Sequence, residues 1–481
     1  MRIIVGIEKN TNGIGMKNSL VLRLKSDLKH FQKITSSLND DKKYNVIIMG
    51  KKTYLSIATH SFPLKNRLNI VLSKTSTDNF DKMGAKKFNS IDNCLEFLIK
   101  KNKEIETVFV IGGASIYTQF LNRGLVDEMY ITYINCKFTS RITFDTFLDL
   151  KPYIDDEFNL ISSKPGLEFN VKNHITKEIY QSIPMSFNHY KYINKGELGY
   201  LNLMLKIKNH GEKRNTRSGM VRSLFGEKLE FDNIYKNFPL LTTKKVYFKG
   251  VVEELLFFLR GDTDTKKLEA KGVNIWKGNT SKEFLKKLNL NYDEGDMGPM
   301  YGFNWRFFNA KYINAKTEYK GQGFNQLEYI INLIKTDPTS RRIFLTGWNP
   351  SVLNESVLAC CHVSYQFFVS EGKYLSCHMY QRSCDLGCGL PFNIASTALF
   401  TSILANICDL IPKKVIISFG DIHIYENHIE AIDTQLGRIP NKFPILKINK
   451  KITSIDEELK YNDFTLINYK HQGTIKMKMA I

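Results

Sequence analysis

The sequence has no apolar run approaching the roughly 20 residues that cross a bilayer, and its 8 cysteines show no framework spacing. The second absence argues against a disulfide-stapled scaffold and fits reduced thiols in a cytosol-like compartment. Cys384 and Cys388, with Cys377 nearby, are not a C-x2-C pair and have no matching half, so no metal is expected. The opening MRIIVGIEKN turns charged too soon for a secretion signal. No internal repeat or low-complexity run stands out. Acidic residues are in deficit: 48 Asp and Glu against 68 Lys and Arg give a formal charge of +20. Such a balance suits nucleic acid, membranes or anionic small molecules. The lysines are spread along the chain, so the expectation is a solvated basic surface with neither a nucleic-acid nor a membrane partner. A soluble cytoplasmic protein follows.

At 481 residues the chain exceeds what one hydrophobic core usually holds, so two domains are expected. From residue 1 to about 150, strand-like runs at 2–7, 45–50, 68–73, 107–113 and 128–134 alternate with helical stretches at 24–34, 91–101 and 114–121. That alternation predicts an α/β domain with a mostly parallel sheet and flanking helices. The pattern weakens from about 150 to 195, and the junction is placed at 185–197. Helical periodicity returns at 198–211, 248–261 and 396–410. Strand-like runs at 357–369, 373–383 and 414–425 make the second half α+β.

The chemistry-bearing stretch is LACCHVSY, residues 358–365. A thiolate is the reactive form of cysteine, and neighbouring cations favour it. Arg341, Arg342 and Arg382 supply permanent charge, and guanidinium forks with the Ser383 hydroxyl also suit phosphate. Glu254, amid Leu and Phe on a helix, is costly unless hydrogen-bonded, which makes it a functional candidate. In the first half, IMGKKTYLSI (48–57) and VIGGASIY (110–117) are glycine turns between strand and helix, which offer backbone N–H groups to phosphate.

Residues 198–481 resemble thymidylate synthase. The matching stretches are FPLLTTKK (238–245), VEELLFFLRG (252–261), GVNIW (272–276), GPMYGFNWR (298–306), the arginine pair, Cys361-His362, YQRSCDLGCGLPFNIAS (380–396) and GDIHIYENHIE (420–430). The resemblance implies that Cys361 is the nucleophile and C6 of dUMP its target. It assigns phosphate to Arg382, Ser383, Arg341, Arg342 and Arg217, with Arg214 the alternative to Arg217. The arginine pair would reach across from a partner subunit, which implies a homodimer through this domain. Asn393 would read the uracil ring and His423 and Tyr425 the ribose. His362 and Asp385 complete the nucleotide site. Glu254 and Tyr301 would organise proton transfer at C5. Trp276, Asn279, Asp385, Gly389 and Phe392 would face 5,10-methylenetetrahydrofolate. Cys360 stands where the family has a proline and, on strand alternation, should point away from substrate. Cys388 replaces a leucine and Thr397 a tyrosine.

Residues 1–193 resemble dihydrofolate reductase, on NGIG (12–15), Asp27 in LKSDLKHF, PLKNRLNIVLSK (63–74) and the two glycine turns. This implies that Asp27 is the pterin carboxylate, supported by Thr132, with Phe31 against the ring and Arg67 on the substrate's glutamate. Gly6, Lys52, Thr53, Ser73, Lys74, Gly112, Gly113, Ala114 and Ser115 would hold NADPH. The family's Leu-Pro-Trp is Leu20-Val21-Leu22 here, which loses an indole donor. A bifunctional enzyme is the leading reading, with domains at 1–193 and 198–481. The alternative keeps an active synthase beside a reductase-like module that only binds folate or supports structure.

Overall fold

The computed structural model describes residues 1–57, 62–75, 80, 84–136 and 142–478. The chain divides into two compact units, Met1–Ile193 and Asn194–Ile481.

The first unit is built on an eight-stranded sheet. From one edge the strands are Ala85–Phe88, Arg67–Leu72, Tyr44–Gly50, Ile105–Val110, Arg2–Glu8, Glu128–Ile134, Ile179–Tyr192 and Phe158–Lys172. The first six pair in parallel, and the last two join antiparallel. The central strands read as unbroken apolar runs because both faces are covered: Val46, Ile47, Ile48 and Met49 have no exposed surface. Helix Lys25–Ser36 follows the expected period closely and sets Asp27, Phe31 and Thr35 on one face.

The stretch from 150 to 195, where the sequence pattern weakens, forms helix Lys151–Glu157 and a hairpin of two long strands. Strand Phe158–Lys172 is exposed along most of its length, so no apolar alternation marks it. As an edge strand it tolerates Pro165. Pro184 in its partner sits one step before the pairing with Glu128–Ile134 begins, where its missing N–H leaves the ladder intact.

The second unit begins earlier than its periodicity indicates. Helix Lys195–His210 starts three residues before 198, capped by Asn194, whose side chain accepts from Glu197 N. Its sheet runs Glu212–Thr216, Gly219–Phe225, Ile411–Tyr425, Tyr374–Asp385, His362–Ser370 and Phe344–Thr346, with Lys228–Asp232 also on Ile411–Tyr425. Helices Phe248–Leu259 and Leu390–Ile407 are buried beside it. Leu390–Ile407 is long and apolar enough to cross a membrane, but 78% of it is buried within the structure, which makes it a core helix. Its Thr397, Thr401 and Ser402 hydroxyls donate back to carbonyls one turn earlier, which satisfies them out of water.

The strand expected over 357–369 starts only at His362. Cys360 and Cys361 lie in the approach to it, so strand alternation is not what separates their side chains.

Candidate active site

In the second unit Cys361 sits where two elements converge. Its N–H donates to the Tyr301 hydroxyl at 3.0 Å, and its carbonyl accepts from Arg382 N at 3.0 Å. The Arg382 side chain donates to the carbonyls of Cys360 and Ala359 at 2.9 and 2.7 Å. One guanidinium nitrogen then stands 3.9 Å from Cys361 Sγ. Beneath it lies the Trp348 ring, 5.4 Å from the guanidinium carbon. Negative charge on this sulfur therefore faces a fixed cation. Cys360 differs in every respect. It is buried, its sulfur accepts from Tyr301 N at 3.2 Å, and burial pushes its thiol up to about 12. It lies before the strand begins, so the alternation that was expected to point it away from substrate does not apply, and the Tyr301 N–H holds its sulfur instead.

Tyr301 links several of these groups. Its φ of 43° is uncommon for a bulky residue. The ring stacks on Phe258 at 4.8 Å and meets His362 and Trp276 edge-on. Trp276 Nε1 donates to Glu254 Oε1 at 2.8 Å. Burial raises the Glu254 carboxyl to about 7, and the indole hydrogen bond only partly opposes it. A carboxyl balanced near neutrality both gives and takes a proton. His362 is pushed the other way, down to about 4, by burial. It is a neutral imidazole, bound to the Tyr365 hydroxyl through Nδ1 at 3.2 Å.

Asn393, on the first turn of helix Leu390–Ile407, is half-buried. Its Oδ1 accepts from Gln381 Nε2 at 2.9 Å, and Gln381 also donates to the Ser383 carbonyl. Gln381 was not among the residues expected to matter. It is buried and fixes the Asn393 amide; its position beside Arg382-Ser383 was the available signal. Ser383 is half-buried on strand Tyr374–Asp385, opposite Asp421. Asp421 was also missed. It accepts from His423 Nδ1 at 2.9 Å and binds Arg214 at 2.6 Å. Arg214 is therefore engaged, while Arg217 lies in the hairpin turn at 217–218 and acts electrostatically on Tyr425. The rings of His423 and Tyr425 meet edge-on at 5.3 Å.

Arg341 and Arg342 are not brought to this group. Both are exposed in the turn before Phe344–Thr346, and among the described residues no side-chain contact joins them to Cys361, Arg382 or Ser383. On the other flank Asp385 Oδ1 accepts from the N–H groups of Gly387 and Cys388. Gly389 opens helix Leu390–Ile407, Phe392 packs near Gly250, and Asn279 is half-buried in the turn after Trp276.

In the first unit Asp27 projects from helix Lys25–Ser36 towards the paired strands that carry Gly6 and Thr132. A Cβ on Gly6 would stand 3.5 Å from Asp27 Oδ2, an ordinary contact distance, so Gly6 borders the carboxylate directly. Burial raises the Asp27 carboxyl, a hydrogen bond from Thr132 opposes this, and the nearby Glu168 charge adds to it. Glu168 was not anticipated from the sequence. Reaching over from strand Phe158–Lys172, it accepts from the N–H groups of Lys25 and Ser26 and so caps Asp27's helix. Phe31 joins the core beside Ile34, and Arg67 donates to Thr35 Oγ1 at 2.6 Å.

The two glycine turns meet. Gly50 N donates to the Gly112 carbonyl at 2.8 Å, and a Cβ on Gly112 or Gly113 would stand 3.2 or 3.4 Å from Thr53 Oγ1. With φ at 132°, Gly112 adopts a conformation that side chains disfavour. Lys52 and Thr53 follow Gly50, and Ala114 and Ser115 follow Gly113, each pair opening a helix. Ser73 lies at the end of strand Arg67–Leu72, where its hydroxyl accepts from Thr75 N, and Lys74 is exposed beside it. This is a backbone cradle bare of Cβ atoms, which fits a bulky phosphorylated cofactor. At Leu20-Val21-Leu22, Val21 and Leu22 are buried, and Leu22 packs with Leu24, Cys136 and Val171. The apolar substitutes fill space without supplying a donor.

Two family descriptions match the chain: thymidylate synthase over residues 198–481 and dihydrofolate reductase over residues 1–180. A bifunctional dihydrofolate reductase-thymidylate synthase 2 from Arabidopsis thaliana is 40% identical over 515 residues, covering 100% of this chain and 88% of its own. The bifunctional protein of Paramecium tetraurelia is 40% identical over 98% of this chain and 96% of its own. That of Plasmodium chabaudi is 37% identical over 98% and 94%. With both matches consecutive in one polypeptide, the chain belongs to the bifunctional dihydrofolate reductase-thymidylate synthase family.

Proposed function

We propose that the second unit converts dUMP to dTMP through attack of Cys361 Sγ on C6 of the uracil ring, and that the first unit recycles the folate product. The observation that carries this is the Cys361 sulfur beside the Arg382 guanidinium, at 3.9 Å, with the Cys361 N–H held by Tyr301. As Sγ bonds to C6, electron density moves through C5 towards O4, and fixed donors stabilise it there. Asn393, its amide set by Gln381, pairs with the ring edge and favours uracil over cytosine. Arg217, Arg382 and Ser383 bind the phosphate, and His423 and Tyr425 bind the ribose. His362, neutral and buried, lines the ring's side of the nucleotide site. Glu254, balanced near 7, moves the proton at C5, and Tyr301 orients water beside it. When bound, 5,10-methylenetetrahydrofolate supplies the carbon and the hydride and leaves as dihydrofolate. Trp276, Asn279, Asp385, Gly389 and Phe392 line its place.

In the first unit Asp27 holds the pterin and supports its protonation, Phe31 packs on the ring, and Arg67 pairs with the glutamate carboxylate. NADPH supplies the hydride when bound. Gly112 to Ser115, with Lys52, Thr53, Ser73 and Lys74, hold its phosphates, and Gly6, bordering Asp27, lines its site. A module that only binds folate is not favoured, because the relatives matched over the whole chain are named as bifunctional reductase-synthases, and Asp27 keeps a hydrogen bond from Thr132. A cytosolic compartment suits the eight free cysteines.

The exposure of Arg341 and Arg342 favours a homodimer in which each copy's pair reaches the other's phosphate site. Mixing a Cys361→Ser copy with an Arg341→Ala/Arg342→Ala copy should restore synthase activity that neither has alone; no recovery would contradict the shared site. A coupled assay with dUMP, 5,10-methylenetetrahydrofolate and NADPH tests both units. Cys361→Ser should stop dTMP formation, and added dihydrofolate should restore NADPH oxidation. Asp27→Asn should do the reverse, keeping dTMP formation while NADPH goes unused.

A further inference from the structure

Beyond strand Tyr374–Asp385 the chain turns so that Asp385 and Cys388 meet His428. One ligand atom from each lies within 4.8 Å of the others. His428 is 1% exposed, and its Nε2 stands 2.7 Å from the Lys478 carbonyl. A carbonyl only accepts, so Nε2 carries the proton and Nδ1 offers a lone pair. That Nδ1 is buried and has no hydrogen-bond partner. It faces the turn: a Cβ on Gly387 would stand 3.4 Å from Nδ1 and 3.4 Å from Asp385 Oδ1. Gly387 thus lies directly between the two groups, with Met477 Sδ the closest neighbour of such a Cβ at 2.9 Å. Asp385 Oδ1 is already oriented by the N–H groups of Gly387 and Cys388, at 2.8 and 3.0 Å.

We propose that Asp385, Cys388 and His428 form a site for a divalent transition-metal cation, zinc being the best chemical fit. A carboxylate oxygen, a thiolate and an imidazole nitrogen are zinc's usual ligand types, and three protein ligands leave a fourth position for water. Metal-bound histidines donate their other ring N–H to a carbonyl or carboxylate, as His428 already does to Lys478. Binding breaks the Cys388 S–H bond, forms a sulfur–metal bond and releases one proton to solvent. Side-chain rotations close the group to metal–ligand distances of about 2.0–2.3 Å. The spacing of thiols alone hid this site, because two of its ligands are not cysteines and one lies 40 residues beyond Cys388. Asp385 is also assigned to the folate side above; on that reading, cation and folate compete for it.

Cobalt(II) titration of the full chain under anaerobic conditions, without added thiol, reads this directly. One equivalent should produce tetrahedral cobalt bands and a sulfur-to-cobalt charge-transfer band, and Zn²⁺ should abolish both. Cys388→Ser and Cys388→Leu should remove the charge-transfer band, and His428→Ala should weaken binding at least about 10-fold. Circular dichroism of each variant checks that it is folded. No band in the wild type, or a band unchanged in both folded Cys388 variants, overturns the proposal; the latter places the thiolate at another cysteine. With dUMP present, a saturating non-reacting folate analogue should weaken cobalt binding. A Cys388-dependent band that the analogue leaves untouched supports the cation site and removes Asp385 from the folate side.

Discussion

Glu254 and Asp27 are carboxylates drawn out of water, one in each unit, and their surroundings differ. Glu254 sits on a helix buried on nearly every side, and its described hydrogen bond is to the Trp276 indole. Asp27 sits on an amphipathic helix with an exposed face, near a second carboxylate, Glu168, that caps that helix. Burial raises both. In the second unit the surrounding core does this almost alone. In the first, the Thr132 hydrogen bond and the Glu168 charge pull in opposite directions, so Asp27 is adjustable from outside its own helix. A site enclosed by core helices has its proton affinity set by packing; a site at a helix–sheet seam has it set by a few polar neighbours.

The largest separation between the units comes from removing each reacting group. Cys361→Ser should lower synthase turnover by roughly four orders of magnitude or more, with reductase turnover unchanged when dihydrofolate is supplied. Asp27→Asn should lower reductase turnover by about 10²–10⁴-fold and leave dTMP formation intact. Steady-state assays of the two reactions, run separately, check both.

Glu254→Gln tests the packing side of the comparison. A carboxyl raised from 4.5 to about 7 holds its proton more tightly folded than unfolded. The stability this gives is complete below about 4.5 and is lost as pH rises through 7. The glutamine variant lacks that loss, so it should gain on the wild type across this window, by roughly 3 kcal/mol at the limit. Denaturant melts at pH 4.5 and 8.5 measure it; parallel curves would show that Glu254 is not held near 7.

The smallest expected effect is Glu168→Gln. The amide keeps an acceptor for the helix N-terminus but removes the charge that raises Asp27. The limb of the reductase pH profile set by Asp27 should therefore move to lower pH. An unmoved limb would make Glu168 purely a helix cap.

The same contrast governs how much could be read from the sequence. In the second unit the site comes from long uninterrupted motifs, and Cys361, Arg382, Ser383, Asn393, Glu254 and Tyr301 all lie within them. What escaped there were supporting polar residues, Gln381 and Asp421, whose importance depends on which side chains the fold brings to them. In the first unit the parallel strands were legible because burial on both faces leaves continuous apolar runs. The hairpin at Phe158–Lys172 and Ile179–Tyr192 was not, because its outer strand carries exposed side chains along most of its length. Glu168 lies on that strand, so the residue tuning Asp27 escaped with it. Cys360 was expected to be oriented by strand alternation, but the strand starts only at His362, and its sulfur is instead held by a hydrogen bond from a residue 59 positions away.

The most direct test of the central claim is covalent labelling with a mechanism-based fluorinated dUMP analogue in the presence of 5,10-methylenetetrahydrofolate, followed by peptide mass spectrometry. A single adduct on Cys361, absent from Cys361→Ser, is the predicted result. An adduct on Cys360, the neighbouring buried thiol held up near 12, would contradict the assignment of the nucleophile and the site built around it.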